Sequence, residues 1–243
     1  MLEWLNGRFD APHLRQLAGA VKYVLIAGDL VDGVGVYPKQ EDELKIADIH
    51  GQYRAAAELI RQIPDHIEVV IVPGNHDAVR QAMPQPAIPE EFAGPVYKAR
   101  DVKSLRNPSN LRVHGVDFLV YHGRSLDDTV ASVPNLTFRN PDAAMEFLLK
   151  CRHLVPEYGK RSCVAPQRQD LMVIERVPDV FQSGHVHVSK FGTYRGTLVV
   201  NCGAWQSQTK YQRMMGLDPT PGILSVLNLQ TFRMDTLDFA TVS

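Results

Sequence analysis

An α/β fold, with β-sheets flanked by helices, is predicted by three observations. Short apolar runs of strand length recur along the chain, at Tyr23–Ala27, Ile67–Val72, Phe118–Tyr121 and Val180–Phe181. A stretch of helical period lies between the first two, the alternation expected where strands and helices take turns. Each run then ends in a polar cluster: Gly28-Asp29, Gly74-Asn75-His76-Asp77, His122-Gly123 and Gly184-His185-Val186-His187. In open α/β sheets the ligand crevice lies beyond the carboxyl ends of the strands, so these clusters are expected to converge.

In chain order, Tyr23–Ala27 reads as a strand. Residues Asp48 to Ile63 then place Ile49, Tyr53, Ala56, Ile60 and Ile63 on one helical face. Ile67 to Val72 is largely apolar and reads as a buried strand. Met83 to Pro95 carries Pro84, Pro86, Pro89 and Pro95 and is predicted to be an extended loop. Beginning near Arg80, that loop is either a substrate-facing wall or a plain connector. After the Phe118–Tyr121 strand, residues 127–170 read as an insertion with no legible role. Inside it, Asn140-Pro141-Asp142 is a helix start: an N-cap residue, a proline at the first helical position and an acid in the first turn. That helix is predicted to run to about Leu154, because Pro156 bars further extension. Leu198–Asn201 and Ile223–Leu229 supply the last strands, separated by a polar loop that includes Gln206 to Met215.

With 243 residues and 44% apolar content the chain can bury one substantial core, so a single domain over 1–243 is expected. The net charge of −1 supplies no global field toward nucleic acid, and DNA contact would have to be local. Two basic clusters stand out, Lys98 to Arg112 and Lys150 to Arg168; each is as well read as a solvated face. Cys151, Cys163 and Cys202 are too few and scattered for a disulfide framework or a zinc knuckle. No signal peptide and no membrane-spanning apolar run is present, and the expectation is a cytoplasmic protein without a membrane partner.

The residue types in the clusters point to a metal. Oxygen donors from Asp29 and the Asn75 amide, joined by the imidazoles of His122, His185 and His187, suit Mn, Fe or Zn better than an all-oxygen cage. A carboxylate able to bridge, with donors on both sides, suggests two ions clamping an in-line displacement at phosphorus. His76 is the candidate general acid or phosphate-oxygen stabiliser, with Asp77 next in the chain to orient it.

The order GD, GNHD, HG and GHVH resembles the calcineurin-like metallophosphoesterases. Further stretches narrow the resemblance: Gly28 to Pro38, Pro64 to Ile67, Pro73 to Arg80, Pro84 to Ala87, Tyr121 to Ser125, Gly184 to Val188, and Met214-Met215 leading to Pro219–Gly222. These are similar to the small, exonuclease subunit of the archaeal D-family DNA polymerase, over nearly the whole chain. The resemblance implies a metallophosphoesterase sandwich and 3′→5′ exonuclease activity. It implies two divalent ions, Mn first and Fe, Zn or Mg as alternatives. It also implies a large catalytic polymerase subunit as partner, DNA 3′ ends as substrate and the sliding clamp as a further contact. Arg80 and Arg124 are the candidate substrate-binding cations.

One expected motif is missing. The superfamily opens with a strand and Asp-x-His, whereas Met1 to Asn6 reads as the helix that follows them. The first strand is thus expected to be lacking, as is the nucleic-acid-binding barrel that precedes this domain in the family. Asp48-Ile49-His50-Gly51 matches the missing motif as text. It falls between GD and GNHD, out of order, and residues two apart on a helix point to different faces. Asp48 is therefore read as a surface or first-turn acid and His50 as an exposed helix residue. Without the opening motif, one ion keeps Asp29, Asn75, His122 and His185, and its neighbour keeps only Asp29 and His187. The reading adopted is an N-terminally truncated exonuclease subunit. The alternatives are an impaired subunit that mainly assembles with the large polymerase subunit and, third, a generic phosphatase.

Overall fold

The computed structural model describes residues 1–241. The chain divides into two compact units. The first comprises Met1–Val79 and Pro86–Arg106; the second comprises Arg80–Gln85 and the chain from Asn107 onward.

The first unit opens with helices α1 (Leu2–Leu5) and α2 (Pro12–Ala20), held by the Trp4 indole N–H donating to the Leu14 carbonyl at 2.9 Å. Strand β1 (Tyr23–Ala27), helix α3 (Ile49–Ile60), strand β2 (Glu68–Val72), helix α4 (Glu90–Ala99) and strand β3 (Val102–Ser104) follow. The three strands form one parallel sheet in the order β1-β2-β3. Val69 to Val72 of the central strand are all buried, which is why that run shows no polar alternation. The register pairs Ala27 with Val72, so the Gly28-Asp29 and Gly74–Asp77 clusters leave the sheet side by side.

Asp48 is the N-cap of α3, accepting the backbone N–H of His50 at 3.3 Å and of Gly51 at 2.7 Å. His50 is exposed and stacks on Phe92. The Asp-x-His text at this point is a helix cap, as its position out of order foretells. The extended loop expected through Pro95 ends earlier, at Pro89, and α4 begins there. Glu90 and Glu91 complement the helix N-terminus. Pro95 costs the helix one backbone bond, offset by burial of Ala93, Gly94 and Val96.

The second unit contains β4 (Ser109–Val113), β5 (Val116–Val120), α5 (Leu126–Ser132), α6 (Pro141–Cys151), β6 (Val180–Ser183), β7 (Lys190–Tyr194) and β8 (Thr197–Asn201). Helix α7 (Lys210–Met214) and the antiparallel hairpin β9 (Ile223–Leu227) and β10 (Met234–Asp238) complete it. Five strands make a mixed sheet in the order β4-β5-β6-β8-β7, parallel at β5-β6-β8. Its core joins Leu119, Phe181 and Val199 of the strands to Leu126 of α5 and to Met145 and Leu148 of α6.

That core corrects the reading of 127–170 as an insertion: α5 and α6 supply its buried layer. Helix α6 also stops short of Leu154. Arg152 turns left-handed at φ 54°, and its Nε and Nη2 donate to the carbonyls of Ile174 and Glu175. Asn140 precedes the helix as expected, but its side-chain oxygen accepts from the Lys190 ammonium instead of capping. The polar Gln206–Met215 stretch is partly helical, because Thr209 and Gln212 form a reciprocal capping box. Among the described residues no helix is long and apolar enough to cross a membrane.

Candidate functional site

In the first unit, Asp29 and Asn75-His76-Asp77 stand together at the carboxyl ends of β1 and β2. Asp29 adopts a left-handed backbone, φ 55°, and its Oδ1 accepts the His76 backbone N–H at 2.9 Å. The His76 ring nitrogen Nδ1 lies 2.6 Å from the Asp32 carbonyl, and Nε2 lies 4.0 Å from Asp29 Oδ2. A carbonyl can only accept, so Nδ1 carries a proton and Nε2 is the working atom, turned toward Asp29.

Asp77 does not orient that ring, contrary to the expectation from its position in the chain. Its buried carboxylate instead accepts the backbone N–H groups of Gly74 at 2.8 Å and Asp29 at 2.9 Å, and the Tyr53 hydroxyl at 3.1 Å. Burial, then the neighbouring Asp77 charge, pushes the Tyr53 phenol far above its ordinary range, so it remains a donor. The ring's true anchor is the Asp32 carbonyl, itself held by the buried Gln40 amide at 2.7 Å. Gly33 beside it has φ +73°, and a Cβ there would stand 2.5 Å from the His76 carbonyl oxygen.

In the second unit, His122 follows β5 and is buried, its backbone N–H donating to Asn107 Oδ1 at 2.9 Å. His185 follows β6, and the two rings meet edge-on with centroids 5.1 Å apart. His185 and His187 both have left-handed backbones, φ 66° and 62°. With Asp29 of the first unit they are three of the nine such non-glycine residues among those described, and backbone strain of this kind is common in functional loops.

Each of these two histidines has a partner that the sequence reading missed. Nε2 of His185 lies 3.0 Å from Asp127 Oδ1, while Arg124 pairs with Asp127 Oδ2. The carboxylate can only accept, so the proton sits on Nε2 and Nδ1 keeps its lone pair. Burial raises the Asp127 carboxyl, but His185, Arg124 and Arg161 outweigh it and bring it down to about 2. Nδ1 of His187 lies 2.9 Å from the Gln212 amide nitrogen. Arg124 is therefore already ion-paired, and Arg80 folds back onto the Pro84 carbonyl.

These donor sets fit a divalent cation. Asp29 offers a carboxylate, Asn75 a buried amide, and His185 a free Nδ1 whose other nitrogen is pinned by a carboxylate, the arrangement that orients metal-binding imidazoles. The arrangement can also move a proton, at His76 Nε2.

The family described as the DNA polymerase alpha/epsilon B subunit matches residues 16–193. The chain belongs to that family. It is 48% identical to the DNA polymerase II small subunit of Pyrococcus furiosus over 240 residues, covering 98% of this chain and 39% of that one. It is 48% identical to the DNA polymerase II small subunit of Archaeoglobus fulgidus over 225 residues, 93% of this chain and 46% of that one. The chain thus spans less than half the length of these curated relatives. Among solved structures, an archaeal phosphodiesterase aligns over 93% of both chains at 12% identity and a TM-score of 0.42. In this family member the strand-end motifs are those legible in sequence. Asp127 and Gln212 were not, although the Thr209-x-x-Gln212 capping box is itself a readable signal.

Proposed function

We propose that this chain is the phosphoesterase part of a polymerase small subunit that hydrolyses DNA phosphodiesters at 3′ ends with a divalent cation. The observation that carries the reading is the left-handed backbone at Asp29, His185 and His187, each placed just past the carboxyl end of a parallel strand. Strain of that kind is retained where side chains must be aimed. The order of the sequence motifs assigns Asp29, Asn75, His122 and His185 to one cation. The motif order leaves Asp29 and His187 for a second cation, and His187 can serve it only when its Nε2 gives up the proton that the Gln212 contact places there.

When bound, the cation supplies positive charge to the phosphoryl oxygens and lowers the pKa of a bound water. Asp127 holds His185 in the tautomer that leaves Nδ1 available. His76, with Nδ1 pinned to Asp32, presents Nε2, which in the imidazolium form would stabilise a phosphate oxygen or protonate the departing 3′-oxygen. Asp77 and Tyr53 keep the two strand-end loops in register.

The test is Mn-dependent release of nucleotides from a 3′-labelled single strand, run beside metal analysis of the same sample. Asp29→Ala is expected to abolish both, and His76→Ala to lower turnover far more than metal content. Nuclease activity that survives Asp29→Ala would overturn the assignment.

A second reading, a protein whose main task is to hold the large polymerase subunit, is favoured by the exposed Trp205, Tyr211, Met214 and Met215. Exposed aromatic and methionine side chains of this kind suit a protein interface. It predicts co-purification with the large subunit that survives Asp29→Ala and is lost when Met214 and Met215 are replaced by Gln.

A further inference from the structure

In the second unit a cleft of about 450 Å³ opens at the amino ends of β6 and β8. Val177 lies just before β6 and Thr197 begins β8, whereas His185 follows the carboxyl end of β6. The length of β6, roughly 13 Å at the usual rise per residue, separates the cleft from the candidate histidines.

The aliphatic part of the lining is Val177, which is 58% exposed, backed by the buried Leu149 from the end of α6 and Ile174. Lys150, Arg152, Tyr194 and Arg195 complete the lining. Lys150 Nζ lies over the Tyr194 ring at 5.3 Å from the centroid and the Arg195 guanidinium at 5.5 Å. The cations are mounted on firm elements, Lys150 on α6 and Arg195 in the tight turn between β7 and β8. Arg152 commits Nε and Nη2 to backbone carbonyls and keeps Nη1 for another acceptor.

Among the described residues no carboxylate pairs with any of these three cations. Elsewhere on the surface Arg54, Arg61, Arg112, Arg139 and Arg233 all have one. No acidic side chain lines the cleft. In a chain whose net charge is −1, three cations without a carboxylate partner around one depression make a local field that selects anions.

We propose that this cleft binds an acidic peptide segment of a partner protein, seating an aliphatic side chain against Val177 and its carboxylates on Lys150, Arg152 and Arg195. The aliphatic lining decides for a peptide over a nucleic-acid strand. Burying a Leu or Val side chain there removes apolar surface from water on both partners, which a sugar-phosphate chain cannot do. Nor is the aromatic ring open for a base, since its π surface already carries two cations. The proposal is independent of the phosphoesterase reading.

Fluorescence anisotropy on the full chain tests it, with a short fluorescein-labelled peptide of alternating Asp and Leu. An alternating Lys and Leu peptide and an oligothymidylate of the same length serve as controls. The acidic peptide is expected to bind saturably and both controls weakly. Lys150→Glu with Arg195→Glu should weaken binding at least about tenfold, because like charges then face the carboxylates. Val177→Asn adds no charge and should still weaken it by about fivefold through the lost apolar contact. All three positions are exposed, and thermal melting of each variant checks that the fold is kept. Absence of saturable peptide binding would overturn the proposal. So would oligothymidylate binding more tightly than the peptide, or peptide affinity indifferent to Val177→Asn.

Discussion

Oδ1 of Asp127 stands 3.0 Å from Nε2 of His185, so an acid from helix α5 fixes the proton of an imidazole two elements away. This contact ties Asp127 to His185 although no motif contains it. Asp127→Ala is expected to weaken Mn binding by about 10–100-fold, the usual cost of losing the group that orients a metal-binding histidine. Isothermal titration with Mn measures it, and unchanged affinity would remove Asp127 from the site. The same residue has an acid signature. Its folded carboxyl, at about 2, lies below the ordinary aspartate value of 3.8, so the stability it confers is full above the ordinary carboxylate range and is lost as pH falls through about 2. Asp127→Ala should lower stability at neutral pH and shrink the further loss on acidification.

The buried Tyr53 hydroxyl donates to the buried Asp77 at 3.1 Å and accepts the half-buried Ala78 backbone N–H at 3.0 Å. Tyr53→Phe leaves both partners without it and should cost about 1–3 kcal/mol of unfolding free energy. Because Asp77 still accepts from Gly74 and Asp29, metal affinity should fall much less than stability. Chemical denaturation beside a Mn titration separates the two, and a loss confined to metal binding would contradict this structural role.

Gly33 has a left-handed backbone, and its missing side chain makes room for the His76 carbonyl. Gly33→Ala must strain the backbone and displace the His76 loop. The expected cost is about 1–3 kcal/mol in stability, accompanied by a loss of turnover larger than for an exposed site such as Gly19. Equal activity in Gly33→Ala and Gly19→Ala would show that the loop tolerates the shift.

The strands that bear the motifs were legible because buried parallel strands are apolar throughout. Val69 to Val72 need no alternation to be recognised. Asp48 and His50 could be placed by order and helical geometry alone. What stayed hidden has physical causes. Lys190–Tyr194 forms an edge strand with a polar face, so its run lacks an apolar signature. Four prolines between Met83 and Pro95 masked α4, whose stability comes from packing against α3. Asp77 looked like the partner of His76 because it is next in the chain. Neighbouring side chains diverge, and its carboxylate turns inward to the loop amides. Asp127 and Gln212 reach their histidines only through tertiary structure.

Gln212 makes the last prediction. Its Oε1 accepts the Thr209 backbone N–H at 3.0 Å, so its Nε2 is the atom facing His187 Nδ1 at 2.9 Å. An amide nitrogen donates, hence Nδ1 accepts and the proton of neutral His187 sits on Nε2. Gln212→Glu keeps the acceptor for Thr209 but replaces the donor with a carboxylate oxygen, which demands a proton from Nδ1. The tautomer should therefore switch and leave the Nε2 lone pair open. Long-range proton–nitrogen NMR of the metal-free protein reads this directly, with the protonated-nitrogen signal of His187 moving from Nε2 to Nδ1. If His187 serves a second cation through Nε2, the same variant should raise Mn stoichiometry, whereas Gln212→Ala should leave both tautomers populated. An identical His187 spectrum in the wild type and in Gln212→Glu would show that Gln212 does not set the proton.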